Sequence, residues 1–228
     1  MIDLSKHFSA KKRVSIVGFS SSSRDLVPYG EDEMEVWSLN HAHSFLRRWT
    51  RWFEVHPADH VQKNIMRSGL TYNGKTHWQW LKDQPPPGDP KHGPIYMQES
   101  HPEICASVKY DKAALNGFFA DLGARRPNWY ADDYYTSTIS HMLALALFEG
   151  FGEVHLYGID LLQTEEYYYQ RSGCEYLVGL ARGLHAALGM PGVFIPAEAA
   201  LCKANYVYGY TEPPAVQTVN GTEVTRWL

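Results

Sequence analysis

The chain has 228 residues, about 1.5 times the common domain size of roughly 150, so one domain with insertions is expected rather than two. Hydrophobic residues make up 44% and charged residues 20%, which excludes a disordered chain, a collagen and a coiled coil. A net charge of −4 and a pI near 6.2 give no global grip on nucleic acid and leave open only a local basic groove.

Three cysteines, Cys105, Cys174 and Cys202, lie far apart. They argue against a disulfide framework and for a reducing cytoplasm. The longest apolar run, Met142 to Phe148, has seven residues where a membrane span needs roughly 18. The opening MIDLSKHFSAKKR is charged where a signal peptide is apolar. Fifteen Tyr and seven Trp contribute to an aromatic content of 14%. So many amphipathic rings suit a large core, a ligand cleft or a contact between copies of the chain.

In chain order, Val14 to Gly18 reads as a buried strand running into a turn, and Arg24 to Val27 as a short helix stopped near Pro28. Glu35 to Leu39 and Trp52 to Val55 are the next strands, ended by Asn40 and by His56-Pro57. A weak helical pattern spans Asp59 to Ser68, and a short helix is predicted for Thr76 to Lys82. The proline-rich stretch Gln84 to Pro90 must be loop, because proline removes backbone donors and fixes φ. It falls in an insertion of about residues 70–93. Pro94 to Gln98 is a fourth strand. Apolar residues at 114, 115, 118, 119 and 122 form a helical stripe over Asp111 to Leu122, and Arg125 to Asp133 reads as loop.

The strongest helix, Thr138 to Glu149, is apolar nearly all round and should be deeply buried, with Ser137 or Thr136 as its N-cap. Glu153 to Gly158 is then a strand, Glu175 to Leu188 a helix, Gly192 to Pro196 a last core strand and Glu198 to Lys203 a short helix. The tail from about 213 shows no clear pattern. Strands alternating with helices define an α/β fold with an open, mostly parallel sheet flanked by helices. Such sheets bind ligands at the carboxyl ends of their strands. The reading places Gly18 to Ser22, Asn40, Glu54 to His56, Gln98-Glu99 and Asp160 at such ends.

Several of these residues have chemistry to offer. Gly18-Phe19-Ser20-Ser21-Ser22 can cradle a phosphate through backbone N–H groups and hydroxyls, or can be an ordinary strand–helix turn. It matches neither GxGxxG nor the P-loop. Thr136-Ser137-Thr138 carries more hydroxyls than a cap requires, and the surplus faces the positive end of a helix. Asp160 ends a buried strand, where a carboxylate must be paired, exposed to a cleft or bound to metal. Tyrosines near 168 and Arg171 offer phosphate contacts. The 11 histidines show no zinc-site spacing, and no GxSxG elbow is present.

VSIVGFSSS, WSLN, RWFEVHP and YYTSTISHMLALALFEGFGEVHLYGIDLL together resemble a Rossmann-like group. The group includes small bacterial lipooligosaccharide sialyltransferases and MptE-like 6-hydroxymethylpterin diphosphokinases. The chain also looks like phage-encoded proteins that share EEY, CEYLVGLARG and IPAEAALCK, over about residues 12–210. The resemblance implies a nucleotide- or nucleotide-sugar-dependent transferase, acting by glycosyl transfer to a hydroxyl acceptor. The alternatives are Mg²⁺-dependent diphosphate transfer from ATP, with Asp160 as the metal partner, and a non-catalytic nucleotide binder. The location would be the cytoplasm, that of the host cell if the chain is phage-encoded.

By the same resemblance, Gly18, Ser20, Ser21, Ser22 and Asn40 hold the donor. Thr136-Ser137 or Ser137-Thr138 line it and Tyr168 contacts phosphate, while Gln98 joins the donor-site candidates from its place at a strand end alone. Two departures stand out. Leu161-Leu162 replaces a tyrosine after the GID motif, and Gln170 to Cys174 contains no histidine where the sialyltransferases place their base. The base candidates here are His56, Glu54 and Asp160. The leaving-group candidates are Arg171, Tyr168 and Ser21.

Overall fold

The computed structural model describes residues 3–63, 73–86, 93–122, 134–163, 166–204, 207, 210, 216–219 and 222–225. A short helix α1 (Leu4–His7) leads into β1 (Ser9–Val17), a 3-10 turn (Arg24–Leu26) and β2 (Met34–Leu39). A second 3-10 turn (Asn40–Ser44), β3 (Arg51–Glu54), α2 (Ala58–Lys63) and α3 (His77–Lys82) follow. Then come β4 (Ile95–Met97), β5 (Ser107–Lys109), α4 (Lys112–Leu122), α5 (Thr138–Phe148) and β6 (Phe151–Tyr157). A π-helical turn (Glu166–Gln170) opens α6 (Arg171–Ala187), and β7 (Gly192–Phe194), β8 (Val216–Val219) and β9 (Thr222–Thr225) complete the order.

Among the described residues seven strands form one sheet in the order β5-β4-β3-β2-β1-β6-β7, and every neighbouring pair is parallel. The chain builds outward from β1 through β5, then returns to the other side of β1 with β6. The carboxyl ends of β1 and β6 are therefore the topological switch point, where an open parallel sheet leaves a crevice.

Strand alternation sorts the side chains onto two faces. Val14, Ile16, Trp37, Leu39, Phe53, Val154 and Leu156 point to one face and pack with Met142 and Leu143 of α5 and with Leu177 and Val178 of α6. Each such fully buried side chain contributes about 1.5–3 kcal/mol. The opposite face carries Trp52, Ile95 and Met97, covered by Leu81 and partly by Trp80 of α3. Glu54 shares the face of Trp52, two residues on, and so emerges on the α3 side of the sheet. Among the described residues no helix is long and apolar enough to cross a membrane.

The predicted elements are largely present, with informative differences. β1 starts earlier than the apolar run, at Ser9, and α6 starts at Arg171 rather than Glu175. The short edge strand β5 was not anticipated. The expected helix from Glu198 to Lys203 is a pair of turns instead. Its backbone groups are claimed by side chains: the Ala200 N–H donates to Asp160, the Cys202 N–H to Glu175, and the Ala200 and Lys203 carbonyls accept from Arg171. A helix cannot form where its ladder is already bonded elsewhere. The tail read as patternless holds the antiparallel β8–β9 pair. The helical pattern of 59–68 is observed for Ala58–Lys63. Its remainder, the end of the proline-rich stretch and the loop at 125–133 lie outside the described residues.

Candidate functional site

A cleft of about 730 Å³ opens at the carboxyl ends of β1, β2, β3 and β6 and the N-terminus of α5. Its floor is made by two glycines. The Gly18 N–H donates to the Tyr157 carbonyl and the Ser20 N–H to the Gly158 carbonyl, stitching the two loops together. A Cβ on Gly18 would sit 2.5 Å from the Gly158 oxygen, and Gly158 itself has φ +64. Close approach of the strand ends therefore requires glycine at the first position, and the left-handed backbone favours it at the second. The Gly18 and Ser20 N–H groups are thus used within the sheet edge, and Ser21 is the exposed serine of the cleft lining.

Asp160 ties three segments together. One oxygen accepts from the Ser20 hydroxyl at 2.5 Å, the other from the Ser22 hydroxyl at 3.0 Å and the Ala200 N–H at 2.8 Å. Burial opposes its ionisation, but the Ser20, Ala200 and Ser22 bonds outweigh it and hold the carboxyl below its ordinary pKa. Both Asp160 oxygens are engaged. Among the described residues no group of three or more His, Cys, Asp or Glu side chains could hold a metal ion. This donor set does not fit a Mg²⁺ site, which needs free carboxylate oxygens facing the substrate phosphates.

At the entrance to α5, Ser137 is the N-cap and accepts from the Ser140 N–H at 3.1 Å. The Thr136 hydroxyl donates to the Gln170 carbonyl at 3.0 Å. Two of the three hydroxyls are therefore committed to the fold, and Thr138 is the remaining one in the cleft lining. The positive end of α5 faces the same space, so the cleft presents N–H dipoles and hydroxyls to an anion.

His56, half exposed, lines the same cleft. Its Nδ1 bonds Glu54 Oε1 at 2.6 Å. Glu54 Oε2 bonds His77 Nε2 at 2.8 Å. The Glu54 side chain is only 2% exposed. Burial would raise its pKa, but the hydrogen bonds from His56 and His77 overcome this and hold it at about 2. The Glu54 bond in turn raises the pKa of His56, against a smaller effect of burial. An ionised carboxylate only accepts, so His56 donates through Nδ1–H, and in the neutral ring its Nε2 carries the lone pair.

Nine of the residues expected at the site line this one cleft: Gly18, Ser20, Ser21, Asn40, His56, Thr136, Ser137, Thr138 and Asp160. Asn40 sits there with φ 48, a left-handed backbone uncommon outside glycine, and its buried Oδ1 has no partner among the described residues. The others lie apart. Glu54 stands behind His56, and Ser22 behind Asp160. Gln98 is exposed and donates to the Val55 carbonyl at 2.9 Å. Tyr168 is 71% exposed and does not line the cleft. Arg171 was expected to face phosphate. It is 9% exposed, and its guanidinium bonds Glu175 and the carbonyls of Asp160, Ala200 and Lys203. Its position at the start of α6 turns it into the body of the protein, where it braces the turns at 198–203.

Sequence reading passed over two residues. His141 lines the cleft one turn into α5, with Nδ1 2.9 Å from the Ser137 carbonyl. Burial lowers its pKa against the effect of that bond, assisted by Lys112. Its position one turn after the cap was the available signal. His77 approaches Glu54 from a separate segment, and no spacing rule connects them.

The fold and cleft define an open parallel α/β protein with a crevice at the switch point. No protein-family model and no curated protein matches the chain. Solved structures resemble it. The sialyltransferase CST-II in complex with trisaccharide acceptor and CMP is 14% identical, with a TM-score of 0.47, over 81% of this chain and 80% of that one. The Campylobacter jejuni sialyltransferase CstII with the substrate analogue CMP-3FNeuAc is 12% identical, with a TM-score of 0.43, over 81% and 80%. The apo alpha-2,3-sialyltransferase of the same organism is 12% identical, with a TM-score of 0.45, over 84% and 78%. At this level of similarity the functional reading rests on the cleft's own chemistry.

Proposed function

We propose that this protein binds a phosphate-bearing sugar nucleotide in the switch-point cleft and transfers the glycosyl group to a hydroxyl acceptor, with His56 as general base. The observation that carries the reading is the His56–Glu54 pair at the cleft, facing the hydroxyl-rich entrance of α5. A histidine whose Nδ1–H is held by a buried carboxylate presents a basic Nε2 near neutral pH.

In the proposed step the acceptor oxygen attacks the anomeric carbon of the donor. His56 Nε2 takes the proton of that hydroxyl. The bond between the anomeric carbon and the phosphate oxygen breaks, and the electron pair leaves with the nucleotide phosphate. The developing negative charge is met by the N-terminus of α5 and by the Ser21 and Thr138 hydroxyls, dipoles fixed in place before reaction. Asp160 keeps the loop carrying Ser20 and Ser22 in register with this wall. No Mg²⁺ step enters, because the Asp160 oxygens are already engaged.

The test is a thermal-shift screen with nucleotides and nucleotide sugars, with and without Mg²⁺, followed by a turnover assay of each donor that binds. A ligand at about 100 times its Kd raises stability by about 2.7 kcal/mol. Binding of a sugar nucleotide in EDTA, with acceptor-dependent release of the nucleotide, supports the proposal. Binding without turnover leaves a nucleotide-sequestering protein. Binding only of ATP with Mg²⁺ overturns the glycosyl reading in favour of diphosphate transfer.

A further inference from the structure

We infer that His77, carried to the back of the cleft by α3, is a positioning residue that fixes the Glu54 carboxylate so that His56 presents Nε2 to substrate. The inference rests on the reading of His56 as the base.

The helix that brings His77 is short but well anchored. Thr76 caps it, accepting from the Gln79 N–H at 3.2 Å, while the Gln79 side chain accepts from the Thr76 N–H at 2.9 Å. This reciprocal capping box satisfies two of the donors a helix start leaves open. Leu81 is fully buried against the sheet, and the Trp80 ring stacks on His43 with centroids 4.3 Å apart. His77 itself is 3% exposed on its side chain.

With the histidine rings neutral, the hydrogen bonds behind His56 admit one consistent arrangement of protons. Glu54 is ionised and can only accept, so both His56 Nδ1 and His77 Nε2 carry hydrogen. His77 Nδ1 is then free to accept from His43 Nε2, 3.2 Å away. The ring planes of His43 and His77 lie 8° apart, with centroids 5.3 Å apart. The His41 ring packs against His77 at a tilt of 35°, with centroids 4.4 Å apart.

Groups from each packed element therefore face Glu54 or its partners: His41 and His43 from the turn after β2, His77 from α3 and His56 beyond β3. Burial first, and the neighbouring His77 and His41, hold the His43 pKa at about 4. Burial, with His77, also lowers that of His41. At neutral pH these two rings are uncharged, and His56 and His77 are the rings bonded directly to the Glu54 charge. His77 occupies the second Glu54 oxygen and stops the carboxylate from rotating off His56. Such outer partners orient an imidazole and fix its tautomer.

The test uses ¹⁵N-labelled full chain and reads the neutral tautomer of His56 by histidine-selective ¹H–¹⁵N correlation at pH 8. The native protein is expected to hold His56 with Nδ1 protonated. His77→Leu should move the population toward the Nε2–H form, while His77→Gln, whose amide can still donate to Glu54, should keep the native tautomer. Where a donor turns over, His77→Leu should lower kcat about tenfold or more with donor KM within twofold, and His77→Gln should recover most of it. A purely structural role would lower the folded fraction and leave the tautomer of the folded molecules alone. If His77→Leu does not fold, His77→Asn replaces it, because the shorter amide falls short of Glu54 and should behave as Leu does. An unchanged Nδ1–H tautomer in the folded non-donating variant overturns the inference. Absence of turnover with every donor counts against the glycosyl reading alone, because the tautomer measurement needs no substrate.

Discussion

Replacing Glu54 by Gln keeps the shape of the side chain and removes its charge. The amide has one accepting oxygen, whereas Glu54 accepts from His56 at 2.6 Å and from His77 at 2.8 Å. One histidine must then accept instead of donate. If His56 is the one that changes, its Nε2 carries the hydrogen and cannot act as a base. Comparable replacement of a carboxylate behind a catalytic histidine costs about 10⁴ in rate, and loss of a general base typically costs about 10²–10⁴. We expect kcat to fall by that factor. Donor Kd should stay within about threefold, because Glu54 stands behind the cleft wall and does not line it.

Two hydrogen bonds to a charged group, each contributing about 1.5–3 kcal/mol, become neutral or are lost. With compensation from the relieved burial of charge, we expect a net destabilisation of about 1–3 kcal/mol, or about 2–12 °C in Tm. The pH dependence has a definite sign. Glu54 is held at about 2 in the folded protein, below the usual carboxylate range of about 4.3. Its contribution is present above that range and is lost as pH falls toward about 2. His56 is raised above its usual value of about 6.5. Its contribution is complete below that value and is lost as pH rises through the folded pKa. The stability difference between native and variant protein should therefore be largest between about pH 4.5 and 6.5. The acid limb of kcat/KM should move to lower pH in the variant. The assays are nucleotide release against pH and thermal melts against pH. A Glu54→Gln protein with kcat within threefold of native and an unmoved acid limb would refute the assignment of His56 as base.

Asp160→Ala removes the acceptor for Ser20, Ser22 and the Ala200 N–H, and should cost about 2–4 kcal/mol, read as a Tm loss of about 4–16 °C. Donor binding by the native protein should meanwhile be the same in EDTA as in Mg²⁺. Arg171→Met should act on stability rather than chemistry, lowering Tm steeply because several carbonyls and Glu175 lose a buried partner worth about 3–5 kcal/mol. A normal melt with a selective loss of kcat would instead return Arg171 to the reaction. Gly18→Ala forces a methyl group within 2.5 Å of the Gly158 carbonyl and should weaken donor binding by about tenfold, measured by calorimetry, at a stability cost of about 1–3 kcal/mol.

The order of strands and helices was legible along the chain, because each core strand is a short β-branched or aromatic run and α5 is apolar nearly all round. Parallel pairing followed from their alternation. The strand ends were legible too, and with them the gathering of Gly18, Asn40, His56 and Asp160 at one edge, because a parallel sheet presents all its carboxyl ends on one side. The direction in which each side chain is used was not legible. Arg171 reads from composition as a phosphate ligand, yet its place on the first turn of α6 points it at the carbonyls of the 198–203 turns. Those same contacts abolish the helix that local sequence predicts there. Asp160 reads as a metal or base candidate until two serines 140 and 138 residues away, and the Ala200 N–H, are found bonded to it.

The histidines mark the division most sharply. Sequence placed His56 beside the cleft through the strand that ends at Glu54, a matter of two residues and local geometry. It said nothing of His77, 23 residues beyond Glu54, because spacing rules describe one helix or one strand, and this contact joins a strand to a helix from a separate segment. Element type and the order of elements along the chain are carried by periodicity and are written locally. The protonation of a buried carboxylate and the tautomer of the imidazole it holds depend on which donors packing brings within 3 Å, and only the tertiary structure decides that.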